Sequence, residues 1–207
     1  MESMSVFTAD RRCCRFEQVL GPDVARQLLE YAERRQRDFQ SATVYRRDRE
    51  KHVDNSTRDC VQLRDLGPFK DLFKFVLLDC ARAAGPALGT KTDNLLPAEF
   101  EICAYGDGGF FGPHIDSHGR LGAGRVLTCV YYFSVTPQKF SGGQLRIHPW
   151  PVALPGSERR AVDVDPSHNT LVIFPSMLRH EVLPIHLEGA QWRENRFSLT
   201  GWLWHPV

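Results

Sequence analysis

The stretch Tyr105-Gly-Asp-Gly-Gly-Phe-Phe-Gly-Pro-His114-Ile115-Asp116-Ser117 sits where the sequence changes its period, and its reading decides the fold. In a strand, residues i and i+2 project to one face. An imidazole and a carboxylate at 114 and 116 can therefore grip one metal ion side by side. A histidine from a distant strand would complete a 2-His-1-carboxylate facial triad, a donor set that leaves positions open on non-haem Fe(II). His180 resumes a strand after the Thr170–Phe174 run and the Pro175-Ser176 turn, so it is preferred as third ligand over His148, His168, His186 and His205. A second His-x-Asp, His52-Val53-Asp54, lies in a charge-rich run with no apolar strand around it and reads as solvated loop.

Working outward, the pattern after about residue 97 alternates with period two. Strand candidates are Glu99–Tyr105, Val126–Val135, Gln144–His148, Ala161–Val164, Thr170–Phe174, Glu181–Ile185 and Arg196–Trp204, separated by Gly, Pro, Ser and Asn. Many short strands without intervening helices predict an antiparallel sandwich or barrel. Upstream the period is helical. Gly21-Pro22-Asp23 opens a helix striped by Val24, Leu28, Tyr31 or Ala32, and Phe39. Leu66-Gly67-Pro68 opens a second, striped by Phe69, Leu72, Phe73, Val76, Leu77 and Cys80 and ended by Gly85-Pro86. Both are expected to back a sheet. Residues 40–65 between them are polar, predicting a long loop with strand segments at its ends, and Val6, Phe7, Phe16, Val19 and Leu20 suit an opening strand. The fold class is thus mainly β with flanking α-helices, in one domain over 1–207, with helical support at about 20–95 and a β core at about 97–205.

A net charge of +1 supplies no field to attract nucleic acid or an anionic membrane, so neither is expected as a partner. The N-terminus lacks the pattern of a secretory signal, and no apolar run reaches bilayer length. Six cysteines, none in a Cys-x-x-Cys pair, read as reduced thiols of a cytoplasmic protein.

Two strands carry further chemistry. In Arg196–Trp204, Arg196, Ser198, Thr200 and Trp202 share one face, and Phe197, Leu199, Gly201 and Leu203 the other. A guanidinium turned into a β interior requires an anion, either an internal Asp or Glu or a carboxylate ligand held bidentately; the alternative is a strand whose polar face is simply solvated. In Val126–Val135, Thr128, Val130 and Tyr132 share a face, so two hydroxyls could join Arg196 in a carboxylate pocket.

The order His114-x-Asp116, Ser141-Gly-Gly-Gln-Leu145-Arg-Ile147, Phe174-Pro-Ser176, Arg179-His180-Glu-Val-x-Pro184 and Arg196-x-Ser198 resembles the Fe(II)/2-oxoglutarate dioxygenases, and among them the prolyl-4-hydroxylase-like subgroup. The resemblance spans roughly residues 20–205. It implies a double-stranded β-helix, or jelly roll, with the N-terminal helices packed on one sheet. It implies Fe(II) held by His114, Asp116 and His180, with 2-oxoglutarate and O2 as co-substrates and ascorbate as reductant. Arg196 is expected to anchor the far carboxylate of 2-oxoglutarate in a pocket with Tyr132, Thr128, Tyr105, Ser198 and Leu145. Arg58, Trp202 and Tyr105 match positions near the substrate. The implied reaction is hydroxylation of an unactivated C–H bond of proline, a prolyl residue or another amino-acid-like compound, small molecule or peptide. The alternatives are a non-catalytic jelly-roll module that kept its metal cage, and a metal-dependent isomerase or hydrolase without need of Arg196. One departure stands out: 16 residues separate His180 from Arg196 (196 − 180), more than the family's usual spacing, which leaves Arg193 as a rival to Arg196.

Overall fold

The computed structural model describes residues 7–9, 12–45, 51–117, 124–149, 160–189 and 191–206. Val6 and residues 46–50 of the polar segment lie outside them. In chain order, β1 (Phe7–Ala9) and β2 (Cys13–Glu17) lead into α1 (Pro22–Arg34). Five short strands follow: β3 (Gln40–Ser41), β4 (Thr43–Tyr45), β5 (Lys51–Val53), β6 (Arg58–Asp59) and β7 (Val61–Leu63). After α2 (Phe69–Leu88) the chain is strand: β8 (Leu96–Tyr105), β9 (Phe110–His114), β10 (Arg125–Phe133), β11 (Phe140–Gly142) and β12 (Leu145–Ile147). It ends with β13 (Val162–Val164), β14 (Thr170–Pro175), β15 (His180–Val182), β16 (Ile185–Leu187) and β17 (Arg196–Trp204).

These strands make an eight-stranded antiparallel sheet, β1-β2-β14-β10-β17-β8-β7-β3, and a smaller five-stranded one, β13-β12-β15-β9-β6. The two-faced strands explain the layering. Leu127, Cys129, Tyr131 and Phe133 of β10 and Phe197, Leu199 and Leu203 of β17 turn outward, where Leu28 of α1 and Phe73 and Leu77 of α2 cover them. Each such side chain contributes about 1.5–3 kcal/mol on burial. A Cβ added at Gly201 would lie 2.5 Å from Leu77 Cδ1, so α2 can sit this close only over a glycine. The opposite face of the large sheet, with Val130, Tyr132, Val172 and Phe174, packs on Leu145 and Ile147 of the small sheet. The result is the expected jelly roll with helices on one sheet, and its interior holds a cavity of about 670 Å³.

Four local readings change. The helix α2 runs through Gly85-Pro86 to Leu88 and is capped by Gly89 at φ +63°. Gly85 serves a close approach instead, since a Cβ there would meet the Thr92 side chain at 2.7 Å. Phe39 lies past the end of α1, which stops at Arg34, and packs on Trp192. His52 belongs to β5, in a hairpin with β4, and Asp54 caps the following turn by accepting from Ser56 and Thr57. The Glu181–Ile185 run is broken at Pro184 into β15 and β16, which belong to different sheets.

Candidate active site

His114 ends β9, and Asp116 lies two residues beyond it, held by backbone N–H donation from Asp116 to the Ser176 carbonyl. The side-by-side placement read from the spacing therefore arises at a strand end, not within a strand. His180 opens β15 directly opposite His114 in the register. One donor atom from each of the three lies within 4.8 Å of the others. His114 Nε2 is 3.7 Å from Asp116 Oδ1 and His180 Nε2 is 3.5 Å from Asp116 Oδ2.

The protonation state suits a cation. Nδ1 of His114 is 2.9 Å from the Gly112 carbonyl, and Nδ1 of His180 is 2.9 Å from that of Leu178. A carbonyl only accepts, so each Nδ1 carries the hydrogen and each Nε2 lone pair faces the cluster. Burial, reinforced by repulsion from His180, lowers the His114 pKa to about 3. Burial opposes ionisation of Asp116, but His180, His114 and the hydrogen bonds from Trp202 and Thr128 outweigh it and bring the carboxyl down to about 2. The site thus presents two Nε2 lone pairs and one carboxylate to a common point. These donors fit a ferrous ion.

Asp116 Oδ2 accepts from Thr128 Oγ1 at 2.7 Å and from Trp202 Nε1 at 2.9 Å. Thr128 and Trp202 are register partners on β10 and β17, so they clamp the carboxylate from the sheet floor. Sequence reading placed Thr128 beside the co-substrate and Trp202 at the substrate entrance; the structure turns both onto Asp116. Ser176 Oγ, 2.9 Å from Thr128 Oγ1, extends the clamp, and nothing in the sequence pattern singled it out for that. Thr128→Val keeps the shape and removes the bond. It is expected to weaken Co(II) or Fe(II) binding about 10- to 100-fold with the fold intact, measured by anaerobic metal titration. An unchanged affinity would leave Trp202 as the sole clamp.

Arg196, at 1% exposure, points into the cavity from the first residue of β17. Its Nε donates to the Gly143 carbonyl at 2.9 Å, and its guanidinium lies over the rings of Tyr105 and Tyr132, 4.9 and 5.0 Å from their centroids. A Cβ on Gly143, which has φ +67°, would come within 2.7 Å of Arg196 Cδ, so the Gly142-Gly143 signature is the cradle of this side chain. No acidic group among the described residues pairs with Arg196. Its Nη1 and the Tyr132 hydroxyl are buried without a hydrogen-bond partner. Burial pushes Tyr132 up to about 12 against the pull of the Arg196 charge, so it stays a phenol able to donate. Two donors and one uncompensated charge, shut from water, fit a carboxylate. Ser198 and Leu145 line the same cavity. The rival Arg193 is on the surface, 3.3 Å from Glu33. Among the extra residues before Arg196, Trp192–Glu194 form a 3₁₀ turn whose Trp192 packs on Phe39 and Phe197 and donates to the Ala32 carbonyl of α1, outside the cavity lining.

Farther along the cavity, Arg58 pairs with Glu101 at 2.6 Å and lies over Phe111, which stacks on His114 at 3.6 Å. Of the other histidines, His148 bonds Glu181, His168 accepts from the Ser134 N–H, and His186 is exposed.

Residues 100–204 match the model of the 2OG-Fe(II) oxygenase superfamily. An uncharacterized PKHD-type hydroxylase of Synechocystis is 30% identical over 107 residues, 51% of this chain and 35% of that protein. Human Egl nine homolog 1 is 30% identical over 127 residues, 60% of this chain and 26% of that protein. The chain thus spans about a third of the first relative and a quarter of the second. A prolyl-4-hydroxylase crystal structure from Pseudomonas putida superposes with a TM-score of 0.62 at 25% identity, covering 94% of this chain and 93% of that one. A Trichoplax adhaerens prolyl hydroxylase, solved with a hypoxia-inducible-factor peptide, shares the fold with a TM-score of 0.64 at 21% identity, covering 94% and 84%. With His114, Asp116, His180 and the cradled Arg196 all inside the matched segment, the chain belongs to the 2OG-Fe(II) oxygenase superfamily, whose cofactors are Fe(II), 2-oxoglutarate and O2.

Proposed function

We propose that this chain is an Fe(II)- and 2-oxoglutarate-dependent dioxygenase that hydroxylates an unactivated C–H bond of proline, a prolyl residue or another amino-acid-like substrate. The observation that carries the reading is the buried, unpaired Arg196 in the same cavity as the His114–Asp116–His180 cluster. A metal cage without catalysis has no use for such a cation, and an isomerase or hydrolase has no diacid for it to hold.

In balance, R–H, 2-oxoglutarate and O2 become R–OH, succinate and CO2. Bound Fe(II) supplies the O2-activating redox chemistry. The chain's own contribution is placement. His114, Asp116 and His180 offer three donors on one side and leave the other side to the cavity. Arg196 and Tyr132 take the far carboxylate of 2-oxoglutarate, with Tyr105, Ser198 and Leu145 as the walls of that end. Trp202 and Thr128 hold Asp116 and close the floor. The substrate is assigned to the end with Arg58, and ascorbate to keeping the iron ferrous. Six buried free cysteines suit a reducing compartment, which supports a cytoplasmic site of action. Among the described residues no helix is long and apolar enough to cross a membrane.

The test is succinate release. Protein, Fe(II), ascorbate and 2-oxoglutarate are incubated under labelled O2 with free amino acids and short proline-containing peptides. Fe(II)-dependent succinate is expected, with one labelled oxygen gained by the accepted substrate. Absence of any Fe(II)-dependent 2-oxoglutarate turnover across that panel would sink the reading.

A further inference from the structure

Eight buried side-chain polar atoms among the described residues lack a hydrogen-bond partner, and four belong to residues lining the site cavity. They differ in character. Arg196 Nη1 and the Tyr132 hydroxyl are two donors, the complement of a carboxylate. Arg58 Nε and Gln62 Oε1 are a donor and an acceptor, the complement of a neutral group with its own C=O and N–H. Arg58 and Gln62 are each more than nine-tenths buried. The Arg58 charge is already answered by Glu101, so this second pair has no call for a charged ligand.

The sheet register shows what lies next to it. Gln62 of β7 is opposite Cys103 of β8, which is opposite Ser198 of β17. Two residues past Gln62, just beyond the end of β7, Arg64 lines the same cavity, as does Glu101. Lys70, in the first turn of α2, lines the same stretch of cavity. Arg64 and Lys70 are exposed, and no salt bridge engages either among the described residues. The other charges on this part of the lining cancel in pairs, Arg58 with Glu101 and Arg125 with Glu99. Asp65 and Asp71 flank Lys70, but they are bonded to Arg35 and Lys74. Among the described residues, the lining beyond the metal ligands and Arg196 is therefore neutral except at one place, where Arg64 and Lys70 make it doubly positive.

We propose that Gln62, Arg64 and Lys70 form a specificity wall for a substrate that offers an N–H to Gln62 Oε1 and an anionic group to Arg64 and Lys70. Two strand spacings, β17 to β8 to β7, put Gln62 about 10 Å across the sheet from Ser198. The proposal rests on the oxygenase reading above and names the substrate chemistry of that site. It selects acylated, anion-bearing compounds over free zwitterionic amino acids, whose ammonium group would face Arg64 and Lys70.

The experiment uses the full chain loaded with Mn(II) and N-oxalylglycine, an inert analogue of 2-oxoglutarate. The probes are four dye-labelled, proline-containing heptapeptides identical except for two flanking residues, which are Asp, phosphoserine, Asn or Lys. Fluorescence anisotropy is expected to show the Asp or the phosphoserine peptide binding at least tenfold tighter than the Asn peptide, an advantage that shrinks as salt rises. Which of the two leads identifies the anion as carboxylate or phosphate. The double variant Arg64→Glu/Lys70→Glu is expected to transfer the preference to the Lys peptide. Gln62→Leu is expected to weaken all four peptides without lowering the thermal midpoint of the free protein, which a purely structural glutamine would lower. Equal binding of the four, binding of none, or indifference to the charge reversal overturns the proposal. Substrate-free, Fe(II)-dependent 2-oxoglutarate consumption is followed in parallel. If the wild type retains it while peptide binding is charge-blind, only the wall is wrong; if the wild type lacks it, the oxygenase reading fails as well.

Discussion

Arg196→Met is expected to raise the KM for 2-oxoglutarate by about two orders of magnitude or more while leaving the free protein as stable as before. Truncating one partner of a buried charge pair costs about 2–5 kcal/mol of binding, and each 1.4 kcal/mol is about tenfold. The stability half of the expectation follows from the state of Arg196 without ligand. Its Nη1 is buried and unpaired, so the side chain already bears a desolvation penalty in the free protein. A methionine of similar length fills the space over Tyr105 and Tyr132 and bears none. Thermal melts should therefore show an unchanged or higher midpoint for the free variant, together with loss of the shift that 2-oxoglutarate gives the wild type. A KM within threefold of wild type would mean that some other group holds the diacid.

Asp116→Asn is expected to abolish measurable Fe(II) binding, a weakening of about a thousandfold or more, with little change in fold. The carboxamide oxygen can still accept from Thr128 and Trp202, so the clamp survives. The amide nitrogen then takes the place of Oδ1, which is 3.7 Å from His114 Nε2, and offers hydrogens where a cation needs lone pairs. Loss of the anion also removes the partner that balances the metal's charge in a largely buried site. The Co(II) visible spectrum is the readout: a wild-type-like titration at micromolar metal would show that His114 and His180 suffice. His180→Ala is the control that removes a donor from the opposite strand.

Much of this was legible beforehand, for identifiable reasons. Period-two alternation is imposed by the strand itself, so the two faces of Arg196–Trp204 and of Arg125–Phe133 could be read residue by residue. The types of donor at 114, 116 and 180 are a matter of composition and order. The α2 terminus was misread because Gly85-Pro86 has the look of a stop. Pro86 sits in the last turn, and Gly85 is needed for the approach of the Thr90–Thr92 return, a contact with no local signature. β4 falls on the expected strand segment at the start of the polar stretch, but its partner β5, Lys51-His52-Val53, has a single apolar residue and no alternation to mark it.

Sequence by itself determined which side chains face the interior, which donor types are present and in what order, and that an arginine would need an anion. Tertiary structure alone decided that Thr128 and Trp202 grip Asp116, that Gly143 cradles Arg196, that Arg193 stays outside, and that Gln62, Arg64 and Lys70 line the same cavity as the metal ligands. Facing is a property of one strand and its pleat. Partnership across a sheet depends on register, which long-range packing sets and no single segment encodes.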